Sequence, residues 1–309
     1  MQQRGVYMNK QILIIIIFIV LVTGLVFFLD KNKNHQTSSN TNKIQIVAAE
    51  NFYGDIAQQL GGDHVSVTSI LSDPNVDPHE YESNVQDGIA IAKAAIVIKN
   101  GEDYDTWIDK LISASPNKNR VVLTGADIAT HKLEDNPHIW YGIDNVKEVA
   151  QKITDSLKQQ DSADAAEYDQ NLATFDNSLT PIQQKMDAIK SKYNGTPVAL
   201  TETIYLYQTQ AMGLNVLTPH AFEQAIAEGN DPSADDVAKA NDQITQKQVK
   251  VLIYNAQTVT PVTTNLQNEA KVKNIPFVTV TETMPTTKHY QSWMMDQLTN
   301  LENALQATR

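Results

Sequence analysis

From residue 43 onward, short apolar segments alternate with stretches whose apolar residues recur every three or four positions. Short runs rich in β-branched residues are typical of buried strands, and the wider spacing is typical of amphipathic helices. Strands are predicted at Ile44–Ala49, His64–Ile70, Ala95–Lys99 and Arg120–Leu123, with helices at Phe52–Leu60, Val85–Ala94 and Tyr104–Ser113. This alternation predicts an α/β lobe.

The middle of the chain lacks strand signals and predicts two long helices, at Asn145–Lys158 and Ala163–Tyr193. The second helix contains Pro181, which removes a backbone hydrogen bond and costs about 3 kcal/mol inside a helix. Either a new helix begins at Thr180-Pro181 or the long helix bends there. Two long helices in succession suggest a rigid connector between lobes.

After residue 194 the alternation resumes and predicts a second α/β lobe. Strands are predicted at Val198–Thr201, Asn215–Leu217, Val249–Tyr254 and Phe277–Val280, with helices at Ile204–Met212, Ser233–Gln243, Val262–Lys273 and Tyr290–Leu305. The fold class is therefore α/β, with two lobes of central sheets flanked by helices and joined by a long rigid helix. We place the first lobe at residues 44–160, the connecting helix at 161–194 and the second lobe at 195–309. No internal repeat is evident in the sequence.

The N-terminus carries an apolar run, Ile12–Leu29, preceded by Arg4 and Lys10 and followed by a flexible polar linker at residues 30–43. The run is just long enough to cross a hydrocarbon core. A cleaved signal peptide is the alternative, but this run lacks the small residues of a cleavage site, which favours a retained membrane anchor. Leu21-Val22-Thr23-Gly24 is similar to the approach to a bacterial lipoprotein site, yet position 25 is Leu, which cannot be lipidated as a cysteine is.

Composition excludes several classes of function. The net charge of -12 argues against a nucleic-acid partner, because a phosphate backbone requires basic surface. The chain has no cysteine, so disulfides, thiolate metal sites and a cysteine nucleophile are all excluded. Any metal site must therefore use His, Asp or Glu side chains.

Three of the seven histidines follow a proline, at His79, His138 and His220. His79 lies in a loop after the second predicted strand, where the carboxyl ends of parallel strands place ligands, and prolines 74 and 78 restrict that loop. His138 lies in a similar loop at the end of the first lobe. The spacing matches neither a zinc finger nor a His-Glu-x-x-His helix, so ligands would have to converge from separate loops.

Carboxylates occupy the corresponding places in the second lobe. Glu202 follows the predicted strand Val198–Thr201 within Thr201-Glu202-Thr203, and Glu282 follows Phe277–Val280 within Thr281-Glu282-Thr283. Each stands where a strand ends, which is the edge that open α/β sheets use for ligand contacts.

Three segments resemble the zinc- and manganese-binding solute-binding proteins of ABC transporters. They run from Ile70 to Glu82, containing Asp77-Pro78-His79-Glu80-Tyr81-Glu82, from Asn136 to Tyr141, and from Thr281 to Pro285. The resemblance covers nearly all of the chain from Lys43 onward. It implies a metal held between two lobes joined by a rigid helix, with His79, His138, Glu202 and Glu282 as the ligands.

The resemblance has two departures. Many family members have a histidine at the third ligand position, where this chain has Glu202, and His220 is an alternative there. The zinc-specific members often carry a His- and acid-rich loop between the first two ligands, which this chain lacks.

A set of two imidazoles and two carboxylates suits Zn²⁺ and also Mn²⁺, so the metal stays open between them. The resemblance implies an extracytoplasmic, membrane-anchored protein that captures a divalent metal for an ABC permease and is not an enzyme. Two alternatives are a surface adhesion protein on the same scaffold and an extracellular metallohydrolase with water at an open coordination position.

Overall fold

The computed structural model describes residues 43–73, 76, 78 and 81–308. Ile44–Arg309 forms one compact unit, which contains every element below. The predicted anchor Ile12–Leu29 lies outside the described residues. Among the described residues, no helix is both long and apolar enough to cross a membrane.

The first lobe is built on four parallel strands in the order β2-β1-β3-β4. They are β1 (Ile44–Glu50), β2 (Val65–Leu71), β3 (Ile96–Lys99) and β4 (Val121–Thr124), and the helices between and after them are α1 (Asn51–Gly61), α2 (Val85–Lys93), α3 (Thr106–Ala114) and α4 (Gly125–Ile128). The central strand β3 (IVIK) is apolar and buried over three of its four residues, as expected where helices cover both faces of a parallel sheet, whereas the edge strand β2 (VSVTSIL) is more polar.

Two long helices follow, α5 (Ile143–Gln160) and α6 (Ala165–Tyr193). Helix α6 has 29 residues and is therefore about 43 Å long. It runs through Pro181 without a break, so the alternative that a new helix begins at Pro181 is wrong. Buried Leu179 and Ile182 flank the proline, and their packing against the core offsets the lost backbone hydrogen bond.

The second lobe has the same sheet topology, with parallel strands in the order β6-β5-β7-β8. Its strands are β5 (Pro197–Leu200), β6 (Asn215–Val216), β7 (Val251–Asn255) and β8 (Phe277–Val280), and its helices are α7 (Leu206–Ala211), α8 (His220–Ala227), α9 (Ala234–Thr245), α10 (Pro261–Lys273) and α11 (Tyr290–Gln306). The predicted class of two α/β lobes joined by a long helix is confirmed. The domain boundaries at residues 160 and 195 stay predictions.

Helix α10 shows how local sequence sets the ends of an element. The Thr260 side chain accepts a hydrogen bond from the Thr263 amide (3.1 Å), and Pro261 occupies the first helical position, where its missing N–H costs nothing. The helix ends at Asn274, whose φ of 56° is left-handed. Asparagine tolerates that conformation better than most residues, which explains the stop at this position.

One apolar core continues from the first lobe across α6 into the second lobe. Aromatic rings carry it across the boundary: Phe52 of α1 stacks on Trp293 of α11 with centroids 6.2 Å apart, and Tyr141 lies edge-on to Tyr205 at 5.5 Å. Asn51 makes a polar contact at the same boundary. Its side chain donates to the Met284 carbonyl (2.5 Å) and accepts from the Met284 amide (2.9 Å). The two lobes are thus packed on each other rather than merely linked.

Candidate metal centre

Two acidic side chains meet at the carboxyl edge of the second sheet. Glu202 follows β5 by two residues, and Glu282 follows β8 by two residues. Strand β7 lies between β5 and β8, so parallel pairing brings all three strand ends to one edge. Both glutamates are buried, with 1% and 0% exposure.

His138 comes from the first lobe and faces this pair. It is fully buried and immediately precedes the 3-10 turn Ile139–Tyr141. Each of the residues His138, Glu202 and Glu282 has one possible ligand atom within 4.8 Å of those of the other two. The structure therefore brings together three of the four residues named from the sequence.

Asn136 orients the imidazole. Its Nδ2 donates to the Thr203 carbonyl (2.8 Å), which identifies Oδ1 as the atom near the ring. Oδ1 accepts from the His138 amide (3.0 Å) and lies 2.9 Å from Nδ1. An amide oxygen can only accept, so Nδ1 carries the proton, and a neutral ring then presents the lone pair of Nε2. Asn136 also joins the lobes, because Thr203 adjoins Glu202.

Glu282 receives hydrogen bonds on both oxygens. Tyr104 donates from its hydroxyl to Oε2 (2.8 Å), and Asn255 donates from Nδ2 to Oε1 (2.7 Å). Burial and the neighbouring charge of Glu282 raise the pKa of Tyr104 well above its usual value, so Tyr104 stays a protonated donor. The same Asn255 Nδ2 also donates to Oε1 of Glu202. Side-chain donors thus contact both carboxylates.

His79 lies outside the described residues, but Val76, three residues before it, contacts the second lobe. Gln257 donates from Nε2 to the Val76 carbonyl (2.8 Å). Its Oε1 accepts from the backbone amides of Glu282 (2.7 Å) and Thr283 (3.1 Å). One glutamine thus links the turn of Glu282 to the loop that carries His79.

His220 is not part of the cluster. It begins helix α8, its side chain is 57% exposed, and its Nδ1 lies 3.7 Å from the Glu223 carboxylate. Helix α8 itself was missed in the sequence, although Phe222 and Ile226 have the four-residue spacing of a buried helical face.

A second histidine cluster in the described residues differs in kind. His64 Nδ1 lies 3.1 Å from Asp164, whereas its Nε2 lies 3.3 Å from Glu167. The two ring nitrogens thus face different carboxylates, and the group is partly exposed. Its possible ligand atoms also lie within 4.8 Å of one another, but none of its three residues is buried, whereas His138, Glu202 and Glu282 all are.

An acidic cleft of about 790 Å³ opens beside the buried cluster. Tyr104 and Pro137, which adjoin the cluster, belong to its lining. The charged residues of the lining are Glu102, Asp103, Lys132, Glu134, Asp135 and Glu228. Carboxylates outnumber the one lysine in this lining, and such a surface raises the local concentration of cations.

A buried imidazole and two buried carboxylates between two parallel-sheet lobes define a metal-binding protein of the two-lobed type. Residues 46–304 match the family model described as zinc-uptake complex component A, periplasmic (ZnuA). The chain belongs to this family.

Curated relatives include the metal ABC transporter substrate-binding lipoprotein SsaB of Streptococcus sanguinis, 28% identical over 192 residues. That match covers 58% of this chain and 60% of SsaB, so the chain spans less than two thirds of that relative. The manganese ABC transporter substrate-binding lipoprotein PsaA of Streptococcus pneumoniae is 25% identical over 225 residues, covering 67% of this chain and 70% of PsaA.

Among solved structures, the periplasmic zinc-binding protein TroA of Treponema pallidum superposes with a TM-score of 0.74 at 15% identity. The match covers 85% of this chain and 99% of TroA. It establishes the shared fold.

Sequence reasoning named the ligand candidates but missed the residues that hold them. Asn136, Tyr104 and Asn255 all donate to or accept from the cluster. Asn136 is the first residue of the segment Asn136–Tyr141, which resembles the family, so the sequence did mark its position. Asn255 and Tyr104 are single polar residues at a strand end and in a loop, and nothing local separates them from turn residues.

Proposed function

We propose that this chain is the extracytoplasmic substrate-binding component of a metal ABC importer, with Zn²⁺ or Mn²⁺ as its cargo. The observation that carries the proposal is the buried convergence of His138, Glu202 and Glu282 within 4.8 Å. Burying two carboxylates and a histidine in one place is costly unless a cation compensates for their charge. Membership of the zinc-uptake family and the names of the curated relatives support the same function.

We propose His79, His138, Glu202 and Glu282 as the four ligands. Two imidazoles and two glutamates make a neutral complex with a dication, which can be buried without a large desolvation penalty. His138 presents Nε2 because Asn136 holds the other ring nitrogen. His79 is supported by the contact of its loop with Gln257, which also holds the Glu282 turn.

Binding without catalysis is part of the proposal. Catalytic zinc sites keep one coordination position for water, whereas four protein ligands fill a tetrahedral shell. Hydrolysis of ester or phosphate substrates by the metal-loaded protein would contradict this.

Capture and release depend on local movement rather than on wide opening of the lobes. The shared core and the Asn51 contact with Met284 resist a hinge motion. Small shifts of loops on contact with the permease are the movement that such packing allows. The acidic cleft beside Tyr104 would gather cations at the entrance.

Tethering to the cell membrane through Ile12–Leu29 completes the proposal. The relatives SsaB and PsaA are named lipoproteins, whereas this chain contains no cysteine to carry a lipid. The apolar run is long enough to cross the bilayer core. Release of the protein from membranes by deleting residues 1–29 would support this anchor, and unchanged membrane association would contradict it.

The ligand assignment is tested by titration calorimetry with Zn²⁺ and Mn²⁺ on metal-stripped protein. His79→Ala should abolish tight binding of both ions while leaving the circular dichroism spectrum unchanged, because a loop ligand contributes little to the core. His220→Ala is the matched control and should keep the affinity of the unsubstituted chain, since His220 lies outside the cluster. Unchanged affinity in His79→Ala would refute the assignment.

A further inference from the structure

Asn255 occupies the centre of the carboxylate pair. It is the last residue of β7, the strand between β5 and β8, and it is fully buried. Glu202 and Glu282 follow the two flanking strands. The amide of Asn255 therefore stands between the two acidic side chains.

The orientation of this amide is fixed by its own backbone. Oδ1 accepts a hydrogen bond from the Gln257 amide (3.0 Å), so Nδ2 is the end that faces the carboxylates. Nδ2 donates to Oε1 of Glu202, to Oε1 of Glu282 (2.7 Å) and to Oγ1 of Thr258 (2.9 Å). Thr258 adds a hydrogen bond to the same oxygen of Glu282 (3.3 Å). One NH₂ group thus contacts one oxygen of each glutamate.

These contacts bear on how the glutamates can bind a metal. A carboxylate oxygen has two lone pairs, so it can accept one hydrogen bond and still bind an ion. The hydrogen bond fixes the orientation of the carboxylate, however, and turning both oxygens to one ion would break it. At Glu282 the second oxygen also accepts, from Tyr104. Single-oxygen ligands favour four-coordinate tetrahedral Zn²⁺, and Mn²⁺ prefers a larger, oxygen-rich shell that bidentate carboxylates help to complete.

We propose that Asn255 is a specificity-determining residue, which holds Glu202 and Glu282 as single-oxygen ligands and so biases the site towards Zn²⁺ over Mn²⁺. The inference rests on the proposed metal-binding function and adds a metal preference to it. Zinc binds most nitrogen and oxygen sites more tightly than manganese in any case. The quantity at issue is therefore the change in the preference when the amide is removed.

The test substitutes Asn255→Leu, which keeps the shape and removes both N–H donors. Zn²⁺ and Mn²⁺ affinities are measured separately by competition with a fluorescent chelator, and coordination numbers by X-ray absorption at each metal edge. Loss of a residue that orients ligands costs about 10- to 100-fold in affinity. We expect that loss for Zn²⁺ and a smaller one or none for Mn²⁺, so that the Zn/Mn preference falls at least about tenfold, with a higher zinc coordination number.

Two further variants keep the test decisive. Tyr104→Phe removes the donor to the other oxygen of Glu282 and should shift the preference in the same direction, even if Asn255→Leu fails to fold. Asn265→Leu is the matched control, because Asn265 is exposed and its side-chain amide donates to Asn241, away from the cluster. It should leave the preference unchanged.

The outcomes separate the two proposals. If the unsubstituted chain binds neither ion, the proposed function itself is wrong. If it binds them but Asn255→Leu lowers both affinities by one factor, with unchanged coordination numbers, Asn255 only stabilises the fold, and this inference is overturned. An unchanged preference in Tyr104→Phe, where Asn255→Leu does not fold, overturns it as well.

Discussion

The two lobes share one sheet topology, but the polar residues at corresponding strand ends make different hydrogen bonds. By strand order, β1 corresponds to β5 and β3 to β7. A glutamate and an asparagine stand at these ends in both lobes: Glu50 and Asn100 in the first, Glu202 and Asn255 in the second. In the second lobe the asparagine donates to the glutamate. In the first lobe it does not.

Asn100 instead supports the loop of His138. Its Oδ1 accepts from the Tyr53 hydroxyl (2.8 Å), and its Nδ2 donates to the carbonyl of Pro137 (2.8 Å). Among the described residues, no side-chain donor forms a hydrogen bond of good geometry with either Glu50 oxygen. Burial, and then the neighbouring charge of Asp105, raise the pKa of Glu50 well above its usual value.

Glu50 and Asp105 are neighbouring buried acids, and the pKa of both is raised by burial, with that of Glu50 well above its usual value. The backbone amides of Asn100 (2.6 Å) and Gly101 (2.9 Å) donate to Asp105 and oppose the rise in its pKa, whereas Glu50 has only its own backbone amide in this role. The first pair has few donors and a raised pKa at Glu50, whereas Asn255 and Tyr104 donate to the second pair, which we propose as the metal site. Hydrogen-bond donors, more than burial, separate a binding site from a structural acid pair.

The largest test of this comparison is Glu282→Gln. Removing one buried charge leaves the metal uncompensated, and breaking a buried ionic pair costs about 3–5 kcal/mol, so Zn²⁺ affinity should fall about a thousandfold. Titration calorimetry at pH 7 measures it. Affinity within tenfold of the unsubstituted chain would mean that Glu282 is not a ligand, whatever its hydrogen bonds.

A smaller effect is expected for Asn100→Ala. The substitution removes the support of the Pro137 carbonyl, so His138 should be held less precisely, at a cost of about tenfold in affinity. Because Asn100 contacts neither glutamate in the described structure, Zn²⁺ and Mn²⁺ should weaken by the same factor. A changed preference between Zn²⁺ and Mn²⁺ would contradict the proposed difference between Asn100 and Asn255. Thermal unfolding of the metal-free variant distinguishes this effect from loss of the fold.

Much of the fold was predictable because its elements are encoded locally. Strand Phe277–Val280 was predicted with the observed limits, and the others lie within one or two residues at each end. At Pro181 the prediction of a possible new helix was wrong. The packing of Leu179 and Ile182 outweighs the tendency of proline to end a helix. Tertiary packing of this kind has no signature within a few residues of the proline.

The candidate site also has a part that the sequence predicts and a part that it does not. Glu202 and Glu282 follow predicted strands, so the strand order of the second sheet brings those two together, whereas His138 reaches them from a loop of the first lobe. The equivalence of Glu50 with Glu202 was not predictable, because the lobes share strand order without sharing sequence. Whether an acidic side chain at such an end is ionised depends on donors from distant segments, such as Tyr104, 178 residues from Glu282.

The smallest effect is expected for Glu50→Gln. This substitution tests whether Glu50 is protonated in the folded chain. The folded-state pKa of Glu50 lies above its usual value of 4.5, so the unfolded chain releases this proton first as the pH rises. The native state therefore carries a penalty that is absent below about pH 4.5 and grows as the pH rises towards the folded-state pKa. Glutamine removes the ionisable group and with it the penalty.

Glu50→Gln should accordingly raise the melting temperature of the metal-free protein at pH 7 by about 2–4 °C, the shift expected for about 1 kcal/mol in a protein of this size. At pH 4 the difference in melting temperature should vanish, since the Glu50 carboxyl is then protonated in both the folded and the unfolded chain. Metal affinity should not change, because Glu50 lies outside the cluster of His138, Glu202 and Glu282. A lower melting temperature at pH 7 would show that Glu50 is ionised and compensated, and the two lobes would then treat their acids alike.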